Sequence, residues 1–296
     1  MRLVTYRNKG ESEDRIGFLD ADAQRIAPSE LLDIPYSDMN EWITSLSMEE
    51  QKRLKGLAEE KSIYTLSVDE VVLRAPIPHP KQDVICLGVN YLEHAREAAR
   101  FEKESFDIRS SYPVYFSKRV NEAVGHQQAI PAYGEFVDSL DYEVELAVVI
   151  GKDAKNVKAE DAEEYILGYT ILNDVSARNL QTRHTQWYFG KSLDGFTPMG
   201  PALVTADEIS YPPKLKIQSL VNGEIRQDSS TDLLIFDIGY VIEELSRGMT
   251  LKAGTIISTG TPQGVGMGFV PPRFLNKGDV VECRIEALGS LVNRIE

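Results

Sequence analysis

The sequence predicts an α+β protein dominated by strands, and three observations carry that expectation. Short apolar, β-branched runs recur from Val84 onward: VICLGV, PVYFSK, ELAVVIG, YTILND, ALVTA, LKIQSLVNG, TIISTG and DVVECRIEAL. Turns rich in Gly, Pro, Asn and Asp separate them, as between strands of a large sheet protein. Helical patterning concentrates before Arg74 and is sparse afterwards. A chain of 296 residues with 42% hydrophobic content can bury a substantial core.

Taken in order, Leu3 to Tyr6 and Arg15 to Leu19 read as short strands. Asp38 or Asn40 is a candidate cap for the helical stretch MNEWITSL. In SMEEQKRLKGLAEE, Ser47 followed three residues later by Glu50 forms a capping box. The proline-spaced APIPHPKQD, Ala75 to Asp83, cannot be helical and reads as a linker. It separates a small N-terminal domain, residues 1–74, from a strand-rich body, residues 75–296. No internal repeat or low-complexity segment is present.

Several function classes are excluded early. No apolar run approaches the roughly 20 residues that span a bilayer, and MRLVTYRNKG has no signal-peptide core. Cys86 and Cys283 both lie in apolar, strand-like contexts, so no disulfide framework is expected and a cytoplasmic location fits. A formal net charge of −14 argues against nucleic acid or an anionic membrane as partner. A small anionic substrate requires local positive charge in its site.

The chemistry concentrates in four places. In DYEVELAVVIG, Glu143 and Glu145 are two apart on a strand, so both project to one face while Val144 and Leu146 point away. Alone, such a pair reads as a solvated strand face. Two adjoining carboxylates at the lip of an apolar run instead call for a cation between them. A hard divalent ion, Mg²⁺ or Mn²⁺, answers that need, with Asp174 of GYTILNDVSARNLQ as a third oxygen ligand. In LGVNYLEHAREA, His94 and Glu97 are neighbours on a helical face, and a carboxylate beside an imidazole suits a general base. The charged EAARFEKESFD that follows reads as a lid, with Ala95 to Asp107 mobile. A helix starting at Asp174 would put Arg178 and Gln181 on its own face, offering donors to a carboxylate. Finally, QWYFGKSLDGFTPMGP places Lys191 in a rigid turn, and STGTPQGVGMG exposes Thr259 and Thr261 in a loop after a strand. The latter is no phosphate-binding loop, because no GK[ST] follows.

The ordered set NYxxHxxE, DYExELAVVIG, NDxSARxxQ, GKSxDGFxPxGP and STGTPxGVG, from Val84 to Glu296, resembles the fumarylacetoacetate hydrolase superfamily. The likeness is greatest to bacterial members related to acylpyruvate hydrolases, oxaloacetate decarboxylases and homoprotocatechuate-pathway isomerase/decarboxylases. It implies mixed β-sheets rolled around the site and a homodimer. It implies Glu143, Glu145 and Asp174 as ligands of Mg²⁺ or Mn²⁺, and His94 and Glu97 as the catalytic pair. Lys191, Arg178, Gln181 and Thr261 would face substrate oxygens. The animal hydrolases carry a fourth ligand, an aspartate upstream of the histidine; that region here reads VICLGV, leaving three. The implied reaction begins when a 2-oxo acid chelates the ion and an enolate forms. Hydrolysis of a C–C bond in an acylpyruvate is the first expectation. Decarboxylation of a 2-oxo acid such as oxaloacetate, or isomerisation of a hydroxymuconate-type diene, is the alternative. A metal-stabilised binding protein without chemistry is the reading from another class, and the intact His94, Glu97 and Lys191 argue against it.

Overall fold

The structure is a computed structural model that describes residues 1–102 and 112–296. Its centre is the strand Val144–Ile150, every residue of which is buried. Val144, Leu146, Val148 and Ile150 enter one apolar cluster with Ile217, Val281 and Leu291. Ala147 and Val149 enter a second with Trp42, Leu54 and Leu203. Burial on both faces explains why this segment reads as a continuous apolar run rather than an alternation.

That strand pairs antiparallel with Ile166–Asn173 on one side and Ile256–Ser258 on the other. The sheet continues through Met199–Thr205, Arg2–Asn8, Arg15–Leu19, Arg25–Pro28 and Leu66–Ser67 in one direction. In the other it adds Val84–Gly88, parallel to Ile256–Ser258, and then Val114–Lys118. Residues 1–74 thus extend the same sheet through the pairing of Arg2–Asn8 with Met199–Thr205. A second sheet, with order Glu224–Ser230, Lys216–Val221, Val280–Ile285, Gly289–Ile295 and Ala129–Ile130, packs its apolar face on the first. The α+β, strand-rich class is the one observed.

Local signals hold where they depend on neighbours in sequence. Asp38 caps Met39–Ser45 by accepting from the Glu41 N–H at 2.8 Å. Ser47 and Glu50 form the reciprocal capping box of Met48–Ala58. His94 and Glu97 lie on the helix Leu92–Glu102, which also takes in the start of the expected lid; its remainder, residues 103–107, lies outside the described residues. Cys86 and Cys283 are both free and buried. Among the described residues, no helix is long and apolar enough to cross a membrane.

Candidate active site

Glu143, Glu145 and Asp174 converge because the ladder brings them together. Val144 faces Asn173 and Glu145 faces Leu172, so the next residues along each chain must adjoin. The Asp174 N–H donates to the Glu143 carbonyl at 2.9 Å, and the Asn173 side chain accepts from the Glu143 N–H at 3.0 Å. Carboxylate oxygens of all three residues lie within 4.8 Å of one another, and all three are buried. On the opposite side, Ser258 Oγ and the Gly260 N–H donate to Glu145 Oε2.

Asp174 does not begin a helix. Ser176–Ala177 pairs instead with Leu140–Asp141, and the helix runs from Arg178 to Arg183. This partner strand is distant in sequence, so the spacing of Asp174, Arg178 and Gln181 gave no hint of it. Arg178 and Gln181 still meet, with Arg178 Nη1 donating to Gln181 Oε1 at 2.9 Å, while Arg178 Nη2 lies 2.6 Å from Glu143 Oε1 rather than on Asp174. Lys191 ends the short helix Tyr188–Lys191, where the sequence reads as a rigid turn. Gly190 permits that helix to press on the preceding one, Arg178–Arg183, since a Cβ there would lie 2.7 Å from the Gln181 Cα.

The Lys191 ammonium lies 2.8 Å from both Glu143 Oε2 and Asp174 Oδ2. A second buried ammonium, that of Lys118, donates to Asp174 Oδ1 at 2.5 Å and to the Val175 carbonyl at 3.2 Å. With Asp141 and Arg178, four buried carboxyl groups face three buried cations. Burial opposes ionisation of Glu143, but Lys191 and Arg178 outweigh it and hold that carboxyl well below its usual range. Among the described residues no cation pairs with Glu145, so burial, then Asp174 and Glu143, push its carboxyl well above the usual range. Without a cation in the cluster, Glu145 is therefore the carboxyl that resists ionisation.

These residues fit a divalent cation. All three donors are hard carboxylate oxygens, and the Lys191 ammonium already stands as a positive charge between two of them. Cys86, on the strand Val84–Gly88, keeps its proton, because burial and then Asp174 and Glu145 raise its thiol. Lys118 was not singled out from sequence; PVYFSK reads as an ordinary strand with a polar end. Lys118→Met would leave Asp174 with one cation in a dry network and should destabilise the fold by about 3–5 kcal/mol. Thermal unfolding checks this, and an unchanged midpoint would contradict it.

A cavity of about 190 Å³ opens on the cluster, smaller than the roughly 300–1,000 Å³ of sites for drug-sized molecules. His94, Glu143, Glu145, Arg178, Gln181, Lys191 and Thr261 line it, with an apolar wall that includes Phe116 and Trp187. Asp174 and Glu97 do not line it; Glu97 borders a neighbouring cavity beyond Met267. His94 Nδ1 is buried, without a hydrogen-bond partner among the described residues, 3.6 Å from Glu97 Oε2. The Gly264 N–H holds both Glu97 oxygens at 3.0 Å. Thr259 and Thr261 are buried rather than exposed, since their hydroxyls donate to the Leu146 and Val144 carbonyls at 2.9 Å. These bonds continue the sheet pairing past Ser258.

Comparison with known proteins agrees with this architecture. Residues 83–296 match the family described as "Fumarylacetoacetate (FAA) hydrolase C-terminal". "Oxaloacetate tautomerase YisK" of Bacillus subtilis is 47% identical over 237 residues, covering 80% of this chain and 77% of that protein. The solved fumarylacetoacetate hydrolase of psychrophilic Exiguobacterium antarcticum is 36% identical with a TM-score of 0.85, covering 100% of this chain and 99% of its own. A maleylpyruvate hydrolase from Sphingobium sp. SYK-6, solved with manganese(II) ion and pyruvate, is 26% identical with a TM-score of 0.76, covering 100% and 98%. The chain belongs to the fumarylacetoacetate hydrolase family.

Proposed function

We propose that this chain interconverts the keto and enol forms of a small 2-oxo dicarboxylate of the oxaloacetate type, with Mg²⁺ or Mn²⁺ held by Glu143, Glu145 and Asp174. The observation that carries this reading is His94 lining the same small cavity as Glu143 and Glu145, with its Nδ1 3.6 Å from Glu97 Oε2. With Nδ1 beside Glu97, the other ring nitrogen is the one that can exchange a proton with substrate. The Bacillus relative is named an oxaloacetate tautomerase, which supports isomerisation over bond cleavage.

When bound, the divalent ion supplies charge that polarises the 2-oxo group and offsets the enolate. His94 takes the proton from C3. Glu97, fixed by the Gly264 N–H, steadies the imidazole and its transient charge. Lys191 and Arg178, both buried, keep positive charge beside the oxygen where negative charge develops. The imidazole then returns its proton to the 2-oxygen. One proton leaves carbon, one reaches oxygen, and no water is consumed.

C–C hydrolysis, the first expectation from the sequence, is the second reading. The maleylpyruvate hydrolase neighbour favours it, because the His94–Glu97 pair is equally suited to activating water. Following enol-oxaloacetate by ultraviolet absorbance separates the readings, with pyruvate assayed in parallel and acylpyruvates as second substrates. Loss of the enol signal that needs Mg²⁺ or Mn²⁺ and releases no pyruvate is the expected result. Pyruvate from oxaloacetate would mean decarboxylation, and pyruvate from acylpyruvates would mean hydrolysis. Activity unaffected by EDTA would refute all three metal-dependent readings.

A further inference from the structure

We propose that Asp141 is a positioning residue that fixes Arg178 against Glu143 and thereby sets the affinity of the carboxyl cluster for a divalent cation. The inference rests on the metal-site reading above. Asp141 is wholly buried and touches neither the cavity nor the three-carboxyl cluster directly. Its carboxylate nevertheless takes four donors. Oδ1 accepts from the N–H groups of Tyr142 at 2.9 Å and Gly266 at 2.6 Å. Oδ2 accepts from the Met267 N–H at 3.0 Å and from Arg178 Nε at 2.9 Å. A buried carboxylate is tolerated when its lone pairs are filled in this way.

The consequence lies at the far end of the guanidinium. With Nε on Asp141 and Nη1 on Gln181, Nη2 is held 2.6 Å from Glu143 Oε1 as an ion pair, leaving Oε2 as the oxygen beside Lys191. Asp141 therefore selects which Glu143 oxygen is offered to a cation. It also offsets the charge of Arg178, which would otherwise repel that cation.

The segment that grips Asp141 also grips Glu97. Gly264 donates to Glu97, and a Cβ at Gly268 would lie 2.7 Å from the Glu97 Cδ. At Gly266 a Cβ would lie 2.6 Å from Asp141 Oδ1. Residues 264–268 thus fix the spacing between the His94–Glu97 pair and the carboxyl cluster.

The test is Mn²⁺ affinity by titration calorimetry in the wild type, Asp141→Asn, Arg178→Gln and the double variant. Partners behind metal ligands typically change affinity about 10–100-fold, and Asp141→Asn is expected to weaken Mn²⁺ binding by that order. Removing Arg178 as well should return affinity towards the wild type, because the uncompensated charge is gone. A buried carboxylate that merely holds a loop would show no such rescue. Unchanged affinity in Asp141→Asn, or a double variant no tighter than that single one, overturns the proposal. Should Asp141→Asn not fold, Arg178→Lys keeps the charge but loses the fork that Asp141 orients, and unchanged Mn²⁺ affinity there is equally decisive. A wild type that binds no Mn²⁺ overturns the metal-site reading and this proposal with it.

Discussion

Glu145→Gln is expected to weaken Mg²⁺ and Mn²⁺ binding by at least about 100-fold, since even residues behind the ligands cost 10–100-fold. Turnover should fall by about 10³-fold or more, the rate equivalent of several kcal/mol of lost charge stabilisation. The fold should survive. Glu145 is the carboxyl without a cation, raised by burial and by its two acidic neighbours. The sign follows from that. Its folded value lies above its unfolded value, near the ordinary 4.3, so metal-free stability is full below about pH 4 and declines as pH rises from there. Glutamine has no such decline. At neutral pH the metal-free variant should therefore melt above the metal-free wild type, and the gap should close towards pH 4. Adding Mn²⁺ should raise only the wild type. Asp174→Asn is a poorer probe, because it leaves Lys118 and Lys191 facing an amide and should cost about 3–5 kcal/mol. Equal Mn²⁺ stabilisation of wild type and Glu145→Gln would contradict the assignment.

His94→Ala carries the second large effect. Loss of a positioned acid–base group typically lowers kcat by about 10²–10⁴-fold, and enol turnover should fall within that range. Mn²⁺ affinity and KM should change little, because the carboxyl cluster and Arg178 remain in place. Oxaloacetate decarboxylation, which needs an electron sink rather than a proton shuttle, should suffer less in the same variant. Steady-state kinetics of both reactions decides the matter. Equal losses would make His94 a residue that orders its helix, and the proton shuttle would have to be sought elsewhere.

The carboxyl cluster was legible because its signal is local. Alternation on one strand puts Glu143 and Glu145 on a common face, and the apolar run after them places that face at a core. The caps at Asp38 and Ser47 depend on residues three apart and were readable for the same reason. What the sequence hid depends on long-range pairing. Lys118 reaches Asp174 across 56 residues, and Ser258 reaches Glu145 across 113. Asp141 adjoins the motif, but its partners Gly266 and Met267 lie on a glycine-rich loop whose spacing reports only a turn. The helix expected at Asp174 is displaced because Ser176–Ala177 is claimed by Leu140–Asp141. Thr261 reads as an exposed loop residue, yet its hydroxyl is committed to the Val144 carbonyl and accepts from Gln227 at 2.8 Å.

The central claim is that Glu143, Glu145 and Asp174 form one divalent-cation centre next to His94. Anomalous diffraction from crystals grown with Mn²⁺ and oxalate, a mimic of the chelating end of a 2-oxo acid, tests it most directly. The account predicts a single strong peak bonded to one oxygen of each of the three carboxylates, with the Lys191 ammonium moved away from its bridge between Glu143 and Asp174. A peak elsewhere, or none while that ammonium keeps its bridge, would contradict it.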